Sequence, residues 1–414
     1  MESVLNVQSP VIFDESVSHY EVHAHQPYTS LAFNNSDEIR IAIQHQDLCV
    51  LPSKSSLHIC GKITRQDGQA VQHTLFVNNA ISHLFEEIRY EMNVIEIDRC
   101  KNVAATTLMK GYTSFSPSQL KYLENSGWTP ITDVGNIADN NGNFDVTVPL
   151  SMIFGFAEDY RKIVVNVKHE LILTRSRNDL NTVLQEALMV DGGPTYEEFK
   201  IEINRIEWLI PYLMLSDRRK IQLFNYIQKD IPNSMSFRSW ELYEYPVLPT
   251  TTQHVWTVKT SNQLEKPLFI ILGFQTGRKG VRRQNASHFD HCNISNVKLF
   301  LNSQSYPYGN LNLDILNNQF AMLYDMYANF QNAYYSDRIV IDPFLSKEEF
   351  ITNAPLIVID CSKQNESLKQ TAVDVRLEFE CKRNIPVDTT AYCLILHDRI
   401  VKYNPISGDI KKLV

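Results

Sequence analysis

Apolar and polar side chains trade places every second residue over many short runs of this chain, the mark of strands with one buried face. In "DEIRIAI" the repeat puts Ile39, Ile41 and Ile43 on one side, and in "EIRYEMNV" it gathers Ile88, Tyr90, Met92 and Val94. "VVNVKHELIL" aligns Val165, Val167, His169, Leu171 and Leu173. Further along, "NVKLFL" aligns Val297, Leu299 and Leu301, and "AVDVRLEFEC" aligns Val373, Val375, Leu377, Phe379 and Cys381. With only 14 glycines, turns fall to Asn, Asp, Ser and Pro, as in "TRQDGQA" and "ADNNGNFD".

Helical signals are few and have the character of insertions. "SPSQLKYLENSG" offers Ser116 as a cap, Pro117 at the first helical position, Gln119 for a capping box and Gly127 as a stop. Asp179 to Gly193 has similar start and stop logic, and a helix from Ser216 must end before Pro232. "NNQFAMLYDMYANF" and "SKEEF", with Ser346 and Glu349 as a capping pair, complete the set. Strands and helices do not alternate regularly, which argues against a parallel doubly wound sheet.

The two halves of the chain rhyme. "SSLHICGKITRQDG" and "KPLFIILGFQTGRKG" are each an apolar strand running into a polar glycine turn. They are followed by "NNAISHLFEEIRYEMN" and "CNISNVKLFLNSQ", and later by "VNVKHELILTRSRND" and "VDVRLEFECKRNIP". The order is kept at a separation near 210 residues. Two copies of one antiparallel β-domain explain this most simply, with the join near the Ser216–Lys229 helix.

The chain has 414 residues, which suits two domains, and 43% hydrophobic content is enough for two cores. A net charge of −8 argues against sequence-independent nucleic-acid binding as the main role. Seven scattered cysteines without a C-x-x-C pair read as free thiols in a reducing compartment. "MESVLNVQSPVIF" lacks the basic start and apolar core of a signal peptide, so the expectation is a protein made and kept inside a cell. No apolar run approaches the ~18 residues of a membrane span.

Candidate chemistry is sparse. His288-Phe289-Asp290-His291-Cys292 gathers metal-ligating types, and a loop there could hold zinc. On a strand, however, residues three apart face opposite sides, so the cluster reads first as the polar start of the strand that "NVKLFL" continues. His23 and His25 fall in a presumed N-terminal arm, and His169 alone is assigned to an apolar strand face. The loop "GRKGVRRQ" supplies Arg278, Lys279, Arg282 and Arg283, either as an exposed hairpin tip or as a contact to nucleic acid or an acidic neighbour. No nucleophile elbow, phosphate-binding loop, dinucleotide fingerprint or zinc-protease motif occurs. The expectation is no enzyme, no cofactor and no metal.

The series "LFVNNAISHLFEEIRYEMN", "SMIFGFAEDYRKIVVNVKHELILTRSRND", "FKIEINRIEWLIPYLMLSDRRKIQLF", "FDHCNISNVKLFLNSQSYP" and "RLEFECKRNIPVDTTAYCLILHDRIVKYN" resembles the double jelly-roll major capsid proteins of Polinton/Maverick elements and adintoviruses. The likeness runs from about Leu31 to Asn404 and rests on order and spacing. It implies an all-β chain of two tandem eight-stranded antiparallel jelly-roll barrels with a few inserted helices. The boundaries expected are an N-terminal arm at 1–26, a first barrel at 27–215, a linking helix at 216–235, a second barrel at 236–405 and a tail at 406–414. It further implies self-assembly into homotrimeric, pseudo-hexameric capsomers of an icosahedral shell, and a place in the virion after assembly inside the host cell. Other implied partners are a single jelly-roll vertex protein and packaged DNA, the latter by weak or indirect contact. The helix-rich insert near Asn317–Phe330 and the many cysteines depart from that family's pattern. Two alternatives belong to other classes: a lectin-like or receptor-binding β-sandwich, and a cupin-like enzyme, which needs several histidines converging in one barrel. A host-domesticated capsid-derived protein is a variant of the first reading.

Overall fold

The computed structural model describes residues 16–28, 32–43, 49–129, 137–190, 193–259, 266–335, 341–363 and 373–413. Sixteen strands carry the architecture. The first eight are β1 (Val17–His25), β2 (Glu38–Ile43), β3 (Ser56–Arg65), β4 (Phe85–Met92), β5 (Ile95–Lys101), β6 (Asn143–Pro149), β7 (His169–Arg175) and β8 (Phe199–Leu215). The second eight are β9 (Asn233–Tyr245), β10 (Gln253–Lys259), β11 (Pro267–Thr276), β12 (Ile294–Leu301), β13 (Gln304–Tyr306), β14 (Ile357–Asp360), β15 (Val375–Cys381) and β16 (Thr389–Tyr403).

Within the first half the strands pair in the orders β1-β8-β3-β6 and β2-β7-β4-β5. In the second half the orders are β9-β16-β11-β14 and β10-β15-β12-β13. Raising every label by eight converts one half into the other. All these pairings are antiparallel, and the connectivity is that of a jelly roll, present twice. The three repeated sequence pairs are β3 with β11, β4 with β12 and β7 with β15, so each rhyme is a topological equivalence.

Alternation places the core as anticipated. Ile39, Ile41 and Ile43 are buried, as are Val297, Leu299 and Leu301 and the inward row from Val373 to Cys381. Val94 is an exception, 74% exposed at φ +69°, because the hairpin turn interrupts the alternation. Asn93 fixes that turn, accepting from the Lys168 N–H and donating to the Gly408 carbonyl, which leaves Val94 at the tip. Val165 also falls outside its strand, because Asn166 at φ +55° breaks the run before His169.

Other expectations change. Residues 17–25 of the presumed arm are β1, paired along its length with β8, and Ile410–Lys412 of the presumed tail pairs with β16. Residues 1–15 and 414 lie outside the described residues. The expected helix at 179–193 is one 3-10 turn, Leu180–Thr182, followed by strand Val183–Gln185 against Thr74–Phe76. Tertiary demand wins there: Val183 is fully buried, and the Gln185 amide donates to Thr74 Oγ1 and the Glu197 carbonyl. Residues 191 and 192 of that stretch are not among those described.

Helices fill the same connection in both halves. Between β5 and β6 lies α1 (Val103–Ser114) and, later, α2 (Gly155–Asp159) follows β6; between β8 and β9 lies α3 (Asp217–Ile227). Between β13 and β14 lie α4 (Ala321–Ala328), α5 (Phe330–Tyr334) and α6 (Lys347–Asn353), the last with its Ser346–Glu349 capping box in place. The insertions meet: Tyr327 donates to the Tyr112 carbonyl at 2.8 Å, and the Gln331 amide donates to the Phe115 carbonyl at 2.5 Å. Every residue of α1 is buried. Its Thr107, Thr113 and Ser114 hydroxyls donate to carbonyls three or four residues back, so these three hydroxyls are satisfied within the helix.

The two cores interpenetrate. Leu108, Met109, Tyr112 and Trp128 belong to the apolar cluster of the second barrel, while Met235, Phe237, Val401 and Tyr403 belong to that of the first. The backbones also touch across this join: a Cβ on Gly155 would lie 1.6 Å from the Arg238 carbonyl oxygen. Gly155→Ala is therefore expected to cost about 2–3 kcal/mol. Gly68→Ala, at an open hairpin tip with φ +82°, should cost about 1 kcal/mol from backbone strain alone. Urea unfolding of both variants checks this, and equal losses would contradict tight packing at the join.

Candidate functional site

A set of buried polar groups that no sequence motif marks lines the join between barrels. Buried Lys110 of α1 reaches Glu158 of α2 at 3.3 Å and lies 4.3 Å from the Tyr334 ring centroid and 4.7 Å from that of Trp240. Glu158 also accepts from the Tyr334 and Tyr335 hydroxyls at 2.8 and 2.5 Å. Beside it, Arg238 of β9 grips Asp159 through Nε and Nη2 at 2.8 and 2.5 Å, with its guanidinium 3.5 Å over the Tyr334 ring. Burial lowers the pKa of Lys110, and the nearby Arg238 charge pushes the same way. Asp98 of β5 accepts from Ser239 and from the Phe156 N–H, and Arg399 stands 3.9 Å away. Burial raises the Asp98 pKa against the pull of Arg399. Removing either partner of such a pair strands a buried charge, so these contacts fix how the barrels sit.

The basic loop is part of the same junction. Arg278 forms a two-pronged pair with Asp290, Nε to Oδ2 at 2.9 Å and Nη2 to Oδ1 at 2.6 Å. Lys279 pairs with Glu244 at 2.7 Å and Arg282 with Glu198 at 2.8 Å. The Gly280 N–H donates to Asn181, and the Arg282 carbonyl accepts from Gln185, both residues of the first half. Arg283 is exposed.

The His288–Cys292 cluster is a loop that ends before β12 begins at Ile294, so it is a lead-in to the strand and not its first residues. Each member has a separate task. Phe289 is buried in the core, Asp290 holds Arg278, and the His291 Nδ1 accepts from Asn293. His288 Nε2 sits 3.2 Å from the Asn285 amide, and Cys292 Sγ lies 3.9 Å from the Thr276 hydroxyl. Burial, aided by Arg278, brings His288 down to about 4, and burial pushes the Cys292 thiol up to about 12. These side chains do not converge on one point.

His169 faces inward as expected, 2.7 Å from the Tyr90 hydroxyl. It is not alone on the strands: His254 of β10 stacks on Phe379 at 4.8 Å, and His397 of β16 is buried. "QHVWTVK" carried that signal, since alternation pairs His254 with Trp256. His23 and His25 lie on β1 beside Tyr212, with ring centroids 4.4 and 5.8 Å from it. Among the described residues, one group of metal-ligating side chains does converge, His58, Cys60 and Asp145 on the outer face of the first barrel. All seven cysteines are free thiols.

With this geometry in hand, comparison with known families is decisive on one point. The family model for the double jelly roll-like domain matches residues 74–401. The chain belongs to the double jelly roll-like domain family. Comparison with curated proteins gives no sequence match. Solved structures similar to this chain include the capsid of the PBCV-1 virus, at TM-score 0.60 and 10% identity, covering 98% of this chain and 99% of that one. The mavirus major capsid protein superposes at TM-score 0.59 and 11% identity, covering 98% and 92%. The Faustovirus major capsid protein gives 0.58 and 10%, covering 97% and 93%. At such identities the likeness is one of fold, and it includes both barrels of this double jelly roll-like chain.

Burial draws the His169 pKa down to about 3, against about 6.5 for an unfolded histidine. The unfolded chain therefore binds a proton that the folded chain refuses, and stability is lost as pH falls from about 6.5 toward 3. At pH 5 this one group is expected to cost about 2 kcal/mol. His169→Gln should flatten the difference between urea unfolding curves recorded at pH 7 and pH 5. An unchanged difference would remove His169 as a source of acid sensitivity.

Proposed function

We propose that this chain is a major capsid protein whose work is self-assembly, three copies closing into a pseudo-hexagonal capsomer that tiles an icosahedral shell. The observation that carries the reading is the repetition of one eight-stranded barrel in a single chain, in an arrangement that spans nearly the full length of viral capsid chains. Two barrels in each of three chains make six near-equivalent corners, and closed threefold symmetry lets one kind of contact join all subunits. Obligate interfaces of this kind bury upward of about 2,000 Å². Exposed apolar side chains support that demand: Tyr20 and Val22 on one face of β1, Ile221 and Phe224 on α3.

The finer assignments are part of the same proposal. The order of the quoted motifs supports the Polinton/Maverick and adintovirus lineage. The virion is the protein's destination, with a single jelly-roll protein at the vertices. The link between barrels, expected at 216–235, ends where β9 begins at Asn233, and the first barrel begins with β1 in place of the arm. Contact with packaged DNA is weak or indirect, in keeping with the net charge of −8. Within the basic loop, Arg278, Lys279 and Arg282 serve as ties inside the chain, and Arg283 is the member that faces a neighbour. No observation favours a glycan-binding or enzymatic reading over this one.

The purified protein is expected to run in light scattering at about three times its 47.8 kDa mass, and negative-stain electron microscopy should show hexagonal tiles. A stable monomer at micromolar concentration would overturn the proposal.

A further inference from the structure

The outer face of the first barrel carries a group of side chains suited to holding a metal ion. β3 is the middle of three neighbouring strands, with β8 on one side and β6 on the other. Residues two apart on a strand share a face. Leu57 and Ile59 point into the core, so His58 and Cys60 point outward together. The register then sets Glu207 of β8 directly opposite His58, and Asp145 of β6 directly opposite Cys60. His58 Nε2 lies 2.8 Å from Asp145 Oδ1 and 3.3 Å from Cys60 Sγ, and Sγ lies 3.4 Å from the same Oδ1. On the far side of the ring, His58 Nδ1 lies 3.2 Å from Glu207 Oε2.

We propose that His58 Nε2, Cys60 Sγ and Asp145 Oδ1 form a zinc-binding site, with Glu207 as the carboxylate that orients the imidazole. The donor set fits the ion. Zinc takes thiolate, imidazole and carboxylate together, whereas magnesium and calcium prefer oxygen alone. Metal–ligand lengths of about 2.0–2.3 Å at tetrahedral angles set donors about 3.3–3.7 Å apart. The two contacts of Sγ already meet that spacing. The nitrogen–oxygen separation must open by about half an ångström, and Asp145, 72% exposed, is free to rotate.

Hydrogen placement points the same way. When Nδ1 donates its proton to Glu207, the neutral imidazole turns the Nε2 lone pair toward a carboxylate oxygen and a sulfur. The Cys60 S–H donates to that same Oδ1, which leaves the 2.8 Å contact between Nε2 and Oδ1 for a second ring proton or a metal ion to relieve. A carboxylate accepting from the distal nitrogen of a ligating histidine is the usual support of a metal site. On zinc binding the Cys60 S–H bond breaks, its proton goes to solvent, and a sulfur lone pair bonds the ion, so that a doubly charged cation enters as one proton leaves. Arg205 approaches Glu207 at 4.0 Å, and the Gln26 amide donates to the other Glu207 oxygen at 3.2 Å, so Glu207 is held in place from both sides. Three protein ligands leave one tetrahedral corner open to solvent.

The test uses the full-length, reduced, metal-stripped protein titrated with cobalt(II), whose thiolate complexes absorb strongly in the near ultraviolet, and then with zinc. One cobalt per chain should bind with a thiolate-to-cobalt charge-transfer band, and zinc should abolish the band. Cys60→Ser should lose it. His58→Ala should weaken binding at least tenfold, and Glu207→Gln should keep the band while weakening binding by about 10- to 100-fold. Circular dichroism establishes that each variant is folded. No charge-transfer band at one equivalent, or a band that Cys60→Ser retains because another thiol supplies it, would overturn the assignment. Neither result bears on oligomeric state, so the site and the capsid reading stand or fall separately.

Discussion

Burial of α1 on every side is the constraint around which the molecule is arranged. A helix with no solvent face cannot end a domain; it must lie between two bodies that both need it. Its Leu108, Met109 and Tyr112 complete the second barrel's core and its Val103 the first's, while strands β9 and β16 send residues back into the first. Two repeated barrels could in principle be beads on a string. Here the connection insertions of both halves meet face to face, and the chain forms one block with two lobes.

Charge does the aligning. Apolar burial is indifferent to small sliding motions, but a buried Lys110–Glu158 contact and a two-pronged Arg238–Asp159 pair are satisfied in one placement only. The loop with Arg278, Lys279 and Arg282 acts on the surface in the same sense, its cations turned toward carboxylates of its own chain. Three of the four cations of this basic loop are thus matched by acids of the same chain.

Much of this was legible beforehand because strands with one wet face write their orientation into the sequence. Ile39, Ile41, Ile43 and the row from Val373 to Cys381 are examples, and the repeat followed from comparing such rows. The elements that the sequence leaves unmarked lack a period. α1 has no polar stripe, contains β-branched threonines and a glycine, and becomes helical because its surroundings satisfy it on all sides; Gly111 is there so that Trp128 can lie against it. Residues 179–193 show the converse, good local helix signals overridden by pairing with Thr74–Phe76. The histidine-rich cluster is conspicuous through proximity in sequence, yet its members diverge. His58 and Cys60 carry no such signal, because their partner Asp145 is 87 residues from His58 and only strand register brings them together.

The shared helix has a consequence for how the protein is made. Synthesis delivers Leu108, Met109 and Tyr112 long before β11 and β12 exist to cover them. A nascent chain must therefore keep an oily helix unmatched while the ribosome adds the entire second lobe, a period in which chaperones or sister chains are the available shelter. Completion of the earlier half waits on the later one, and maturation becomes a single event tied to the arrival of the carboxyl-terminal strands.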